Sequence, residues 1–447
     1  MSTSLANLNI NQSSASQGTG IDVTAVVDQI IYAEQAPERI WQQEQITLAQ
    51  QASTLNSLSS GVNALQDKLH SLSDLTGVFD NLATTSSQPS LVTASAQSDA
   101  ATGTHTVVVT RLATVSSYYT DPIASISTTL AHGSFTLAAG SSSNTITIDG
   151  TNDTLDKLTA YINSHDYGVQ ASVLNDADGA RLALVSKTSG SPGDLTVSAN
   201  GTGLVFNKSA DGLNASYTVD GVPLSSTTNT ATGAIPGVTL NLLGADKNTP
   251  VTISVAHDTS AITQAVNDFV AAYNTVINGI NSQFTTTSSG SAGALAGNSA
   301  LRSLQSSLLS DISYSIKDNS GIVGLASMGI DMQDDGTLTV DSTKLNDALT
   351  NNFGAVQNFF QSTISGSFGA NFNTSLASLT SPTSGLLAAN INENSANQRD
   401  LTDRINDFEA RLADRRQFLT NQYSQVDAML RQYPLLLQQI TSQLGTK

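Results

Sequence analysis

The sequence predicts an α+β multidomain fold: a terminal coiled-coil or helical-bundle stalk, with β-rich head domains inserted between the two ends of the chain. Two observations carry this. Near the N-terminus apolar residues alternate at spacings of three and four, through Leu55, Leu58, Val62, Leu65, Leu69 and Leu72. Near the C-terminus the same spacing runs Leu387, Ile391, Asn394, Gln398, Leu401, Ile405, Phe408, Leu412, Arg415, Leu419, Gln422, Val426, Met429 and Tyr433. That alternation is the heptad pattern of packed helices. So narrow a seam cannot bury itself, so each end needs the other, another helix of the chain or another subunit. The second observation is that the sequence between them reads mostly as short alternating strands and turns.

The elements follow in order. A helix begins near Asp22, whose carboxylate can cap free amides, with Val23, Val27, Ile30 and Ile31 on one face. Pro37 ends or bends it. A second helix is expected from about Glu38 to Leu82, carrying the first seam, and the Thr/Ser-rich shift from Thr84 to Pro89 marks a boundary. Strand patterns then cover Thr106 to Thr110, Ser134 to Ala138, Asn144 to Ile148, Val169 to Leu174, Arg181 to Ser186, Val238 to Leu243 and Val251 to Val255. Asp149-Gly150, Asp178-Gly179 and Asp220-Gly221 supply tight turns. Leu155, Leu158 and Ile162 at helical spacing make Ser134 to Ser186 a ββαββ unit.

Helical spacing returns after Asp258, through Ile262, Val266, Phe269, Tyr273, Val276 and Ile280, and again through Leu301, Leu304, Leu308 and Ile312. A hairpin turns at Asp335-Gly336, and a last helix opens near Gly385, about 70 Å long if it reaches Tyr433. Pro434 then removes an amide donor and predicts a kink or break. These readings divide the chain into four parts. Residues 1–48 and 410–447 form a terminal, partly disordered helical leg, and 49–88 with 258–409 form the stalk. Residues 89–122 and 212–257 form a first β-rich head domain, and 123–211 a second. The Ser/Asn/Gln-rich first 20 residues, and the terminal seams, are expected to lack an intramolecular core large enough to order them.

Composition narrows the function. Of 447 residues, 39% are apolar, only 12% are charged, and the net charge is -18. Such a surface repels phosphate backbones and anionic lipid, which argues against nucleic-acid partners. No run approaches the ~18 apolar residues of a membrane span, so no membrane insertion is expected. Met1 to Gln17 contain neither a basic cluster nor an apolar block, so export would need a route without a cleaved signal. The absence of Cys suits a protein working outside the cell without disulfides.

Catalytic patterns are missing, and no cofactor or metal is expected. His70, His105, His132, His165 and His257 are scattered, with no second ligand four residues on. There is no Gly-x-Ser-x-Gly elbow, no Gly-Lys-Ser/Thr phosphate loop and no Cys nucleophile. Asp176-Ala177-Asp178-Gly179 resembles part of a calcium loop, but Leu174 and Val185 occupy its first and twelfth positions, so a hairpin turn is the better reading. Gly18-Thr19-Gly20 precedes a helix without a strand leading in, unlike a dinucleotide fingerprint. The seam amides Asn394, Gln398 and Gln422, with Arg415, read either as solvent-facing interruptions or as selectors of register and partner.

Several motifs together resemble the bacterial flagellar filament-cap family, the hook-associated protein 2 family. GTGIDVTAVVDQIIYAEQAP from Gly18 to Pro37 is similar to its N-terminal signature, and VVVTRLA from Val107 to a strand of the family ending in Leu-Ala. NTITIDG, Ala160 to Asn163 and VQASVLNDADGARLALVS resemble the hook IN motif, which falls in the second head domain. GVTLNLL at Gly237, DFVAAYNTVI at Asp268, LASMGIDMQDDGTLTVDSTKL at Leu325 and the closing helix resemble the family's C-terminal half.

The resemblance implies a structural protein, not an enzyme, that caps the distal tip of the filament outside the cell, after export through the flagellar type III channel. It implies a homo-oligomeric ring, expected to be a pentamer, that retains exported flagellin and promotes its folding and insertion. Seam residues Leu55, Leu58, Val62, Leu65, Leu69, Ile262, Phe269, Tyr273, Leu401, Ile405, Phe408, Leu412 and Leu419 would hold the stalk. Val426, Met429, Tyr433, Leu436 and Ile440 would serve a cytosolic flagellar export chaperone or another partner. The alternative is an extracellular tip adhesin, whose head binds host or surface glycans and whose helices are a spacer.

Overall fold

The computed structural model describes residues 20–285, 292–361 and 366–445. The leader expected to be disordered, and Gly18, lie outside them. Two helices open the chain, α1 (Val23–Glu34) and α2 (Ala36–Ser73). Strands β1 (Leu82–Ser86), β2 (Val92–Ala96), β3 (Gly103–Arg111), β4 (Val115–Thr120), β5 (Gly133–Ala139) and β6 (Ser142–Ile148) lead to α3 (Leu155–Ser164). Then come β7 (Val169–Asp176), β8 (Gly179–Ser189), β9 (Leu195–Ser198), β10 (Phe206–Ala210) and β11 (Ala215–Val219). The strands end with β12 (Val222–Ser226), β13 (Thr230–Ile235), β14 (Val238–Leu242) and β15 (Val251–His257). Helices return as α4 (Thr259–Phe284) and α5 (Ser299–Ile312), followed by a hairpin of β16 (Ile330–Met332) and β17 (Leu338–Val340). The chain closes with α6 (Ser342–Asn351), α7 (Phe353–Gln361), α8 (Phe368–Thr380) and α9 (Leu386–Leu444).

The chain divides into two compact units. One comprises the described residues up to His70, Asn267–Leu345 and those from Gly354 on; the other comprises Ser71–Val266 and Asn346–Phe353. This is an α+β multidomain fold, with a helical part from both ends of the chain and inserted β-rich domains. Among the described residues no helix is long and apolar enough to cross a membrane.

The β-rich unit has two separate cores. In the first, an antiparallel sheet of order β1-β15-β3-β11-β12 and a three-stranded sheet β13-β14-β2 enclose Val92, Val107, Val109, Leu240, Val251 and Ile253. Burial alternates along β11, β14 and β15, as one-sided packing requires. In the second, the sheets β10-β4-β8-β7 and β6-β5-β9 pack with α3 around Phe135, Ile146, Leu158, Ile162, Leu182 and Leu184. Asp220 and Gly221 both have positive φ, 51° and 82°, and form the two-residue turn joining β11 to β12. The turn joining β7 to β8 pairs Asp176 with Gly179, so the calcium-like sequence sits at a hairpin tip.

Four expectations need correction. Helix α2 stops at Ser73 instead of reaching Leu82. A Cβ on Gly77 would stand 2.7 and 2.8 Å from the carbonyl oxygens of Ser71 and Asp74, so the chain turns there on a glycine. Leu82–Ser86, expected in the stalk, is edge strand β1, in register with β15 from Leu82–His257 to Ser86–Ile253. Asp149-Gly150 joins β6 to α3 rather than to a strand, because Thr154 caps that helix through its hydroxyl. Pro434 does not end α9, which is helical to Leu444; a single missing amide costs one ladder bond and leaves the remaining turns intact.

Pro37 sits in the first turn of α2, where no intrahelical donor is needed. Gln35, between the helices, donates to the Ile31 carbonyl at 2.9 Å, closing α1.

Candidate assembly interface

The helical unit is built on the predicted seams. Leu55, Leu58, Val62, Leu65 and Leu69 of α2 are buried, and so are Phe269, Tyr273, Val276 and Ile280 of α4. Two glycines let the helices approach: a Cβ on Gly61 would meet the Val276 side chain at 3.3 Å, and one on Gly279 the Leu58 side chain at 3.2 Å. Polar residues at the seam margins tie neighbouring helices. Lys68 pairs with Asp268 at 2.9 Å, Gln66 donates to Asn373 of α8 at 3.1 Å, and Gln305 of α5 donates to Asn281 of α4 at 2.7 Å. Ile262 is buried as well, in the first turns of α4, which belong to the β-rich unit.

An aromatic cluster that the seam analysis misses completes this core. Phe359 of α7 stacks on Phe368 of α8 with centroids 5.0 Å apart, and Phe269 meets Phe368 and Phe372 edge-on at 6.1 and 6.0 Å. Helices α6, α7 and α8 carry no long heptad run, so period alone does not find them. The available signal is five phenylalanines within 20 residues, from Phe353 to Phe372, in a chain that is 5% aromatic.

Helix α9 carries the second seam past several partners in turn, with α5 and α8 in contact with it as well as α2 and α1. Along its first part Leu387, Asn394, Leu401 and Ile405 are buried. The Asn394 side chain donates to Gln51 at 3.3 Å, and Gln398 donates to the Leu48 carbonyl at 3.3 Å. These amides therefore face α2 instead of solvent. Phe408 is only half-buried, edge-on to Trp41 at 5.2 Å. Beside α1, Leu412 and Leu419 join Val27 and Ile31 in a small core flanked by Val23, Ile30 and Tyr423. Arg415 turns to the surface and pairs with Glu34 at 3.4 Å.

The start of the described chain closes this contact. The Ile21 amide donates to the Asp427 carboxylate at 2.8 Å, and Gly20 lies beside the same side chain. Contrary to the expectation that it lacks an internal core, α1 has a partner within the chain.

Of the five residues assigned to partner binding, Val426 falls within that contact and is half-buried, whereas Met429, Tyr433, Leu436 and Ile440 are 63%, 65%, 53% and 51% exposed. Leu435, Leu437 and Leu444, which the seam does not include, are also exposed. The interface thus combines a pairing of the two chain ends with an apolar helix surface left open. Its chemistry is packing, with no bond made or broken.

The chain resembles known proteins along most of its length. The profile described as Flagellar hook-associated protein 2 N-terminus matches residues 19–116, and its C-terminus counterpart matches 212–434. The Flagellin hook IN motif matches residues 134–188, which are β5 to β8 with α3. The B-type flagellar hook-associated protein 2 of Pseudomonas aeruginosa is 30% identical over 70% of this chain and 73% of its own length. The protein of the same name from Aeromonas caviae is 29% identical over 93% of this chain and 95% of its own. A crystal structure of the flagellar cap protein FliD from Escherichia coli superposes with a TM-score of 0.56 and 28% identity, covering 76% of this chain and 99% of that one. With paired helical ends, an inserted IN motif and these relatives across most of its length, the chain belongs to the flagellar hook-associated protein 2 family of flagellar cap proteins.

Proposed function

We propose that this protein caps the distal tip of the flagellar filament, as a structural homo-oligomer that retains exported flagellin and promotes its folding and insertion. The observation that supports this reading best is the pairing of α1 with the distal part of α9. Among the described residues it leaves the last turns of α9 with an exposed apolar surface for a partner. Five subunits are the expected ring, through broad polar head contacts, since charged residues are few. The protein reaches the tip through the flagellar type III channel, and before export a cytosolic chaperone covers Val426, Met429, Tyr433, Leu436 and Ile440. The adhesin alternative has no observation in its favour.

Deletion and re-expression in a flagellated host test the proposal. Without the protein, flagellin should accumulate unpolymerised in the medium and filaments should be missing; re-expression should restore both, with five subunits at each filament end by electron microscopy. A mutant that grows normal filaments but adheres poorly would replace the cap by the adhesin. An open string of subunits at the tip would remove the ring.

A further inference from the structure

In the helical unit, the buried polar atoms without a hydrogen-bond partner among the described residues include one on α4 and one on α5. Tyr273 of α4 is fully buried, and its hydroxyl has no hydrogen-bond partner. Asp311, in the last turn of α5, has its Oδ2 shielded from solvent and equally unpartnered. The hydroxyl of Ser375 on α8 is the neighbour that favours the ionised form of this carboxyl. A polar cleft of about 440 Å³, lined by Ser303, Ser306, Ser307, Ser310, Asp311 and Ser375, opens beside it. Among the described residues no cation acts on this carboxyl: α8 has no ionisable residue, Arg302 on the same helix lies over the Phe284 ring, and Lys68 pairs with Asp268 of α4. Tyr273 is the titratable neighbour that feels Asp311.

Burying a carboxylate with an empty hydrogen-bonding site is costly, whereas its protonated form is neutral and can itself donate. We propose that Asp311 and Tyr273 form a proton-controlled weak point of the helical unit, firm while Asp311 is neutral and loosened when it ionises. Burial pushes the Asp311 carboxyl up from the ordinary value of 3.8, with only Ser375 opposing. The sign follows from proton binding. As pH rises above 3.8 the unfolded chain loses this proton while the native chain keeps it, so stability falls. The loss is complete once pH has passed the native pKa. This is opposite to the usual contribution of a paired surface carboxylate.

Thermal unfolding of the full chain from pH 4 to pH 8, followed by helical ellipticity, tests this with Asp311→Asn and Asp311→Ser. Relative to the unsubstituted protein, both variants should gain Tm as pH rises, by about 2–4 °C between the ends of the range. The readout is how the difference changes with pH, so a constant offset from imperfect fit does not matter. The carboxyl carbon of Asp311 should titrate above 3.8 by NMR. A variant-minus-parent difference that is flat or falls with pH, or a titration at or below that value, would overturn the proposal.

Discussion

Helix α9 is one continuous element with two unlike stretches. From Leu386 to Leu419 it buries Leu387, Asn394, Leu401, Ile405, Leu412 and Leu419. From Thr420 to Leu444 it buries none, although Met429, Tyr433, Leu436 and Ile440 keep apolar residues along it. Helix geometry is the same in both, so the difference lies in the supply of partners. Helix α5 meets its first turns, α2 meets it from Asn394 on and α1 after that, and the described N-terminal residues meet it at Asp427. A heptad seam therefore states that a helix requires a partner, and the described residues supply one for only part of its length.

The largest effect that tests this contrast is a loss of binding. Removing residues 421–447 should abolish association with the proposed export chaperone, while thermal unfolding of the β-rich unit stays where it was. Titration calorimetry against the full chain reads the first, and circular dichroism the second. Unchanged affinity would place the chaperone's handle elsewhere and leave the open stretch without this role.

Stability should respond in the reverse pattern. Leu65→Ala or Leu401→Ala should each cost about 2–5 kcal/mol, from lost transfer free energy plus the cavity left behind. Tyr433→Ala, 65% exposed, should stay within about 0.5 kcal/mol. Denaturant titration of the three variants compares them directly. Similar losses at Leu401 and Tyr433 would mean that both stretches of α9 are packed in solution.

The same contrast explains how much was legible in advance. Sequence periodicity reports a residue's preference for burial, and it located the seams, the ββαββ unit and the cap of α1 at Asp22. It does not tell which partner satisfies a seam, and so does not by itself reveal the α1–α9 contact. Short strands such as β1 and β2 are mostly Ser, Thr and Ala with little alternation; their pairing is set by neighbours distant in sequence. The halt of α2 at Ser73 depends on Gly77, whose close approach to two carbonyls is a tertiary fact. Asn394 shows the limit most clearly: both readings fitted its polarity, and only the position of Gln51 decides that the amide faces another helix.

The smallest effect concerns charge across the α1–α9 contact. Arg416 pairs with Asp28, and Arg415 with Glu34 at 3.4 Å. In the first pair both side chains are 50% exposed, so water screens the attraction and holding two long side chains costs entropy. A double-mutant cycle with Arg416→Ala and Asp28→Ala should give a coupling of about 0.2–1 kcal/mol at low ionic strength. At 1 M salt the screening length shrinks to about 3 Å, and the coupling should vanish. Leu412→Ala and Leu419→Ala should still destabilise the contact there, because apolar burial does not depend on unscreened charge. A coupling above about 2 kcal/mol, or one indifferent to salt, would show that ions hold α1 on α9. The boundary between the two stretches of α9 would then be set by charge placement, and extending the acidic face of α1 would extend the packed stretch.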